Sequence, residues 1–577
     1  MKKTIVYRKI AENFKKIEKL CDHELLETIY LFRGIQSKAE LEKDLAQLSP
    51  YQQLKDIEKA TIRLFQAISN DEQIVIIGDY DTDGATSTAI AVRALNMLGA
   101  KRVNYLVPNR FEYGYGLSPE IVQLAYQQFK PNLIITVDNG IVSIEGVSVA
   151  KQLGIEVIIT DHHLAGEKTP EACAIINPNQ PGDNFASKCL AGCGVIFYVM
   201  LALRATLREK NWFAEQNIPE PNMANLLDLV ALGTVADVVP LDKTNRILVH
   251  YGLQRIRQQK CIPGIKVLLE IGKRKLPQIV ATDLAYAVAP RLNAAGRLED
   301  MSLGVACLLS DNEVQASKLA FELDKLNNER RIIEATMKTQ AFNELDRLHL
   351  HEQQGHLKAI CLYDSNWHQG VIGILASRIK DFYHKPAVIF AKGDKGELKG
   401  SARSVASFHI RDAFERIAMH HPSLIKKFGG HAMAAGLTIA EDQFKIFKEA
   451  LLRDVEEELT KEDLEDQILC DGELQSKDFT LNFAQAIREA GPWGQGFPEP
   501  TFVNRFKIIE QRLIADKHLK LMLALNDKIL NGVFFNVDSN IWPNARCEYV
   551  AAVYRLDVNE YQGRQNLQLM IDYLEPA

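Results

Sequence analysis

Carboxylates and imidazoles recur in this chain directly after short apolar runs, at a spacing suited to holding divalent cations. Ile74-Val75-Ile76-Ile77-Gly78 leads into Asp79-Tyr80-Asp81-Thr82-Asp83-Gly84. Leu133-Ile134-Ile135-Thr136-Val137 leads into Asp138-Asn139-Gly140, and Val157-Ile158-Ile159-Thr160 into Asp161-His162-His163. Each cluster alone has a plainer reading as an acidic turn, a helix cap or a polar histidine pair. Together they describe three strand ends that aim ligands at one place, and such a concentration of like charge needs cations to offset it. Two hard divalent metals meet that need, and centres of that kind handle phosphates. A water shared by two cations loses its proton near neutral pH, and the cations offset charge on the phosphorane-like transition state and the departing oxygen. Carboxylate oxygen dominates the donor set and no thiolate joins it, which favours Mg²⁺ or Mn²⁺ over Zn²⁺. If the chain stays extended through Asp79, Asp81 and Asp83, these alternate residues share a face and point one way.

The elements that must position these groups follow from the same runs. Each apolar run is β-rich and reads as a fully buried strand. Helical patterns over Gly84–Leu98, Pro119–Gln128 and Gly146–Leu153, with a further strand at Val103–Val107, alternate with them. That alternation predicts an α/β domain with a parallel sheet, whose ligands gather beyond the carboxyl ends of its strands. Another helical stretch, Leu226–Ala231, precedes Gly233-Thr234-Val235-Ala236-Asp237. Residues 311–354 contain neither glycine nor proline, and a continuous helix there would reach on the order of 60 Å, long enough to join two domains. A second α/β pattern follows it. Residues 455–471 are strongly acidic and read as a solvated helix or linker. Five strand-like runs after them suit a small barrel of OB type. The expected order is a helical N-terminal appendage (1–50), a metal-bearing domain (51–310), the connecting helix (311–354), a second α/β domain (355–455), and an acidic linker with the barrel (456–577).

Composition narrows the class. The 577 residues are 25% charged and 47% hydrophobic, with a net charge of −6. That balance argues against coating nucleic acid by bulk charge and leaves room for a local basic groove. The 9 cysteines are scattered without a C-x-x-C pair, as expected of reduced thiols in a cytoplasmic protein. The first residues lack an apolar signal core and no run approaches membrane-spanning length, so a cytoplasmic protein without membrane association is expected. No extended interface stands out, and a monomer is expected.

The three clusters, with Asn109-Arg110-Phe111-Glu112-Tyr113-Gly114-Tyr115-Gly116-Leu117, Ala231-Leu232-Gly233-Thr234-Val235-Ala236-Asp237, Pro290-Arg291-Leu292-Asn293-Ala294-Ala295-Gly296-Arg297 and Lys427-Phe428-Gly429-Gly430-His431, closely resemble the blocks of the DHH phosphoesterase family. The last block resembles its associated DHHA1 domain. The match covers most of the chain and falls nearest the branch that degrades single-stranded DNA from the 5′ end. The resemblance implies that Asp81 serves one metal and Asp83 the other, that Asp138 bridges them, and that His162 and Asp237 complete the ligands of the second metal. Asp79 is placed with the first metal. Asp161 would orient a neighbour, and His163 would contact the scissile phosphate. Some family members carry a histidine ligand upstream of the paired acids, and this chain has none there.

For the substrate, Arg110, Tyr113 and Tyr115 follow the strand ending at Val107. Arginine pairs with phosphate and tyrosine stacks on an unpaired base, against a plainer reading as a core aromatic pair with a surface arginine. The resemblance favours the substrate role. Ser401 and Arg403 lie on a small-residue strand with a basic head. Gly429, Gly430 and His431 offer backbone N–H groups beside an imidazole, a turn in the plainer reading and a clamp for the 5′ end if the DHHA1 resemblance holds. His368 and Arg378 flank a helix start as secondary candidates. Arg291, Asn293 and Arg297 either reach the strand from the first domain or cap helices and tie the connecting helix down. A groove between the two α/β domains would admit one strand and exclude a duplex. The expected function is a single-stranded-DNA-specific 5′→3′ exonuclease of recombination and repair, releasing mononucleotides, with a single-strand-binding protein and a helicase as family-implied partners. The rivals are an oligonucleotide or small-phosphate phosphoesterase, which would generally lack the terminal barrel, and a non-catalytic DNA-binding replication scaffold, which would have lost several acids.

Overall fold

The computed structural model describes the chain except residues 1–2, 11–17, 110–111, 114–115, 352–356, 461, 516 and 562. It divides into two compact units, one of Met1–Val6 with Asn328–Leu469 and the other of Tyr7–Asn327 with Cys470–Ala577. A two-stranded sheet pairs β1 (Thr4–Tyr7) with β12 (Gln467–Cys470).

The larger unit is built on a parallel sheet of β2 (Ile74–Gly78), β3 (Val103–Leu106), β4 (Leu133–Val137), β5 (Glu156–Thr160) and β6 (Ala174–Ile176), in the order β3-β2-β4-β5-β6. Strands β2 and β4 are buried at every position, as a sheet covered on both faces requires. Helices Thr82–Met97, Pro119–Phe129 and Ile144–Gln152 form the crossovers. One sheet face packs on Leu117, Ile121, Val122 and Val147. The other joins a core that continues into the helices Gly192–Glu209, Leu227–Ala236 and Lys243–Arg257 and on into the barrel. Register decides where the acids emerge. Gly78 pairs with Val137 and Val137 with Thr160, so the next residues, Asp79, Asp138 and Asp161, leave the sheet side by side.

The barrel is closed in the order β13-β14-β15-β17-β16, from β13 (Phe502–Ile514), β14 (His518–Leu525), β15 (Lys528–Phe534), β16 (Tyr549–Tyr561) and β17 (Arg564–Pro576). Closure leaves no unpaired edge along the ring. In the smaller unit, β7 (Ile360–Tyr363), β8 (Ala387–Lys392), β9 (Glu397–Arg403), β10 (Ile425–Gly430) and β11 (Ala434–Ala440) form a mixed sheet ordered β10-β11-β9-β8-β7. Its core gathers Phe390, Phe414, Phe447 and Leu451 beneath the helices Ile410–His420 and Phe444–Glu458. The long helix runs Glu313–His351, and the division between units falls within it. Among the described residues, no helix is long and apolar enough to cross a membrane.

Three expectations need correction. The chain is not extended through Asp83: Asp81 caps a helix that starts at Thr82, its side chain accepting the Gly84 N–H at 3.0 Å. The N-terminal segment contributes β1 as well as the helices Glu24–Phe32 and Lys38–Leu41, because Thr4 and Arg8 find backbone partners in Asp466 and Cys470. The acidic stretch is α-helical only to Glu458, with a short 3-10 turn at Glu462–Leu464, and Gln467–Cys470 is drawn out as β12 by the same pairing.

Candidate metal centre

The site is assembled at the carboxyl edge of β2, β4 and β5. Asp79 follows β2 and is buried. Asp81 and Asp83 occupy the cap and first turn of the next helix, where the exposed helix N–H groups favour carboxylates. Asp83 is 1% exposed. Its two oxygens accept the N–H groups of Gly192 and Cys193, at 2.7 and 3.0 Å, from the start of another helix. Asp138 sits in a left-handed turn at φ +61°, and Asn139 pins that turn by donating to the Ile77 and Val137 carbonyls. Asp237 arrives from elsewhere, as the C-cap of Leu227–Ala236. That helix continues through Gly233, beyond the expected Ala231. A Cβ on Gly233 would stand 2.7 Å from Asp83 Oδ1, so glycine is needed for this close approach.

His162 links these groups. Its Nε2 lies 3.1 Å from Asp138 Oδ1, 3.5 Å from Asp237 Oδ2 and 4.0 Å from Asp83 Oδ2. Asp83, His162 and Asp237 offer ligand atoms within 4.8 Å of one another, and so do Asp79, Asp81 and Asp138. Asp138 also groups with His162 and His163, which places it between the two sets. Asp161 is used differently. Its Oδ1 accepts the N–H groups of His162 and His163 and meets His163 Nδ1 at 2.7 Å, while Oδ2 accepts from Ile141. It thereby shapes the turn that presents both imidazoles.

The electrostatics show what the donor set lacks. Burial, then the neighbouring Asp81 charge, lifts the Asp83 carboxyl to about 6. Burial and the Asp83 charge push Asp138 and Asp237 well above the usual carboxylate range. Burial also opposes charge on Asp161, but the hydrogen bond and charge of His163 outweigh it and hold Asp161 low. Burial disfavours a charged His163 as well, yet Asp161 raises it to about 9. Three carboxyls held up by burial and by mutual repulsion around one imidazole would all ionise beside cations. Cys193 directs its thiol to the Val230 carbonyl and Thr234 hydroxyl, so the donors are oxygen and imidazole. That set fits Mn²⁺ or Mg²⁺.

Several supporting residues went unnoticed in the sequence. Asn177 and Asn179 donate to the His163 and His162 carbonyls at 2.9 and 2.6 Å, and an Asn-Pro-Asn run signals such a turn. Gly192 approaches Asp138 so closely that a Cβ would lie 2.7 Å from its carboxylate; the small Gly-Cys-Gly run at that helix start was the available signal.

Other expected site residues fall into separate places. Arg110 and Tyr115 lie outside the described residues, and Tyr113 packs half-buried against the sheet core. Asn293 accepts from both the N–H and the hydroxyl of Thr82 at 2.8 Å, fixing the turn between Asp81 and Asp83. Arg291 forms an ion pair with Asp324 of the long helix at 2.8 Å, and Arg297 is half-exposed on the same helix as Arg291. In the smaller unit, Ser401 and Gly429 flank Gly436 in register, and Arg403 pairs across strands with Ala434. Arg403 donates to Ser401 Oγ at 3.3 Å. Gly373 allows its helix to approach them: a Cβ there would be 3.0 Å from Ser401 Oγ. Gly430 needs its φ of +132°, and His431 is exposed beside it. His368 accepts the Gly370 N–H at 3.1 Å. Arg378 pairs with Glu334 at 2.9 Å.

A parallel sheet delivering carboxylates and an imidazole from matched strand ends is the construction of a metal-dependent phosphoesterase. Sequence comparison agrees. Models described as the DHH family N-terminal domain, the DHHA1 domain and the RecJ OB domain match residues 73–234, 356–459 and 470–573. The chain is 52% identical over 554 residues to the single-stranded-DNA-specific exonuclease RecJ of Dickeya dadantii, and 50% identical over 554 residues to that of Escherichia coli, in each case covering 96% of both chains. The crystal structure of RecJ in complex with Mn²⁺ from Thermus thermophilus is similar at a TM-score of 0.79 and 29% identity, covering 99% of this chain and 79% of that one. The chain belongs to the RecJ family.

Proposed function

We infer that this chain is a metal-dependent exonuclease specific for single-stranded DNA, hydrolysing phosphodiester bonds from the 5′ end and releasing mononucleotides in recombination and repair. The observation that carries the reading is the convergence of Asp79, Asp81, Asp83, Asp138, His162 and Asp237 at one sheet edge, in a chain similar along nearly its whole length to such exonucleases. Asp79, Asp81 and Asp138 would hold one divalent cation. Asp83, His162 and Asp237 would hold the second, with Asp138 shared. Bound there, such cations supply positive charge for the scissile phosphate and acidify water. Asp161 holds the His163 ring through Nδ1, so that the imidazole is oriented toward the phosphate. Asn293 positions the acidic turn through Thr82.

Arg110, Tyr113 and Tyr115 would bind the strand near the metals. Ser401, Arg403, Gly429, Gly430 and His431, with His368 and Arg378, would clamp its 5′ end, and the barrel would add a stacking and electrostatic surface. Arg291 and Arg297 serve the strand or the helix packing. The chain acts as a cytoplasmic monomer alongside a single-strand-binding protein and a helicase. The test is incubation with 5′-labelled or 3′-labelled single-stranded and duplex DNA, in Mn²⁺, Mg²⁺ or chelator. Mononucleotide release from the 5′ end of single strands, abolished by chelator, is expected. Equal digestion of duplex, or 3′-first release, would refute it.

A further inference from the structure

Away from the metal centre, the larger unit holds a cavity of about 410 Å³ between the helix Lys243–Arg257 and the barrel. Charged side chains crowd it, and most are matched. Arg274 pairs with Asp283 at 2.9 Å, Lys275 with Glu560 at 3.2 Å, and Arg555 with Glu499 at 2.8 Å. Arg257 and Lys273 in its wall, and Lys43 beside it, are the exceptions. Arg257 Nε donates to the Ile279 carbonyl at 2.8 Å, and Lys43 Nζ to the Glu489 carbonyl at 2.9 Å. Among the described residues, none of the three has a carboxylate within ion-pair distance. Arg488 shares the space, and its acid, Asp557, stands off at 3.6 Å. Glu489 and Asp283 offset part of the Arg257 charge from further away.

The cations feel one another. Burial, then Arg246 and Arg257, lowers Lys43 to about 8, and burial, then Lys43 and Arg257, lowers His250 to about 4. Like charges kept half-buried without a bonded counter-charge are costly, and an anion between them removes the cost. A guanidinium fork beside a lysine suits a phosphate group. Leu253, Ile279 and Trp493 supply apolar wall, and the volume falls within the range of small-ligand sites.

We propose that this cavity, lined by Arg257 and Arg488 with Lys43 at its margin, is a phosphate-binding site that takes a nucleoside 5′-monophosphate. The phosphate site stands on the cavity alone, while the choice of nucleotide rests on the exonuclease reading, whose product it is. A phosphodiester of a DNA strand presents the same chemistry and is separated by experiment. Calorimetric titration of the full chain in chelator would use dTMP, inorganic phosphate, thymidine, and a thymidine oligonucleotide lacking a 5′ phosphate. dTMP is expected to bind, and thymidine to bind at least about tenfold more weakly. Arg257→Gln and Lys43→Gln should each weaken dTMP by about tenfold or more, whereas Lys151→Gln, at an exposed lysine paired with Glu171, should leave this binding in place. Tighter binding of the oligonucleotide than of dTMP, lost in Arg257→Gln, would assign the phosphate site to a strand in place of the free nucleotide. Unchanged dTMP binding in both cavity variants, equal binding of thymidine, or no binding at all would overturn the proposal. Lys43→Gln, at the cavity margin, keeps the test alive should Arg257→Gln fail to fold, as judged by circular dichroism.

Discussion

Replacing Gly192 with alanine should weaken metal binding without touching a ligand. A Cβ at this position would stand 2.7 Å from both Cβ and Oδ1 of Asp138, whereas ordinary contact begins at 3.4 Å. Relief requires a relative shift of about 0.7 Å, and overpacking of this sort costs about 1–3 kcal/mol. The shift cannot stay local. The Gly192 N–H also holds Asp83 Oδ2 at 2.7 Å, so moving the helix start drags the carboxylate of one ligand group while the methyl displaces that of the other. Residues that orient metal ligands typically matter by about 10–100-fold in affinity, and the overpacking energy corresponds to the same range. The assay is exonuclease rate against Mn²⁺ concentration, with the thermal midpoint measured separately in chelator. Half-saturating Mn²⁺ should rise by about 10–100-fold while the variant stays folded. An unchanged half-saturation, with a full rate at limiting Mn²⁺, would show that Asp138 and Asp83 are not held in place by this helix start.

Asp81→Asn and Asp81→Ala should both abolish turnover with the fold retained. The alanine variant should in addition lose about 0.5–2 kcal/mol of stability, because asparagine still caps the helix; wild-type-like rates with native circular dichroism would refute the ligand assignment. Saturating Mn²⁺ should stabilise the protein against unfolding, by about 2.7 kcal/mol at a hundredfold excess over the dissociation constant, and an identical midpoint in chelator would count against a cation offsetting the acids. Asn293→Ala strips two hydrogen bonds from the Thr82 turn, worth about 1–3 kcal/mol together. It should lower the rate and raise the Mn²⁺ requirement; a rate loss that no Mn²⁺ concentration reduces would point to direct substrate contact instead. His250 is held neutral down to about 4, against an ordinary 6.5, so the unfolded chain takes up its proton first as pH falls. Its contribution to stability is present above pH 6.5 and lost as pH drops toward 4. Solvent screening of this half-buried ring keeps the size under about 3 kcal/mol. His250→Gln should flatten the stability profile across that window, and an unaltered slope would refute the assignment.

Apolar runs made the central strands legible, because a sheet covered on both faces leaves no polar positions to confuse the pattern. The acids after Gly78, Val137 and Thr160 were readable for the same reason. Asp237 was reached through resemblance, since nothing local marks a helix C-cap as part of a site built by strands that end 77 to 159 residues earlier. The extended path expected for Asp79–Asp83 failed because Asp81 satisfies helix N–H groups, a choice that alternation cannot reveal. Pairing of β1 with β12 joins segments far apart in the chain, and the β-favouring run Thr4-Ile5-Val6-Tyr7 is too short to announce so distant a partner. In the barrel, β13 runs on to Ile514 through exposed residues such as Glu510 and Arg512, whose polarity hides a strand. Gly192 and Asn293 act through proximity, which no linear spacing encodes.

The delivery of Asp237 from a separate helix has a consequence for biosynthesis. A ribosome that has released only the first five strands has made a sheet edge with most of its acids but an unfinished cage for the second ion. The ligand cluster closes only once the helix Leu227–Ala236 has docked against the Asp83 turn.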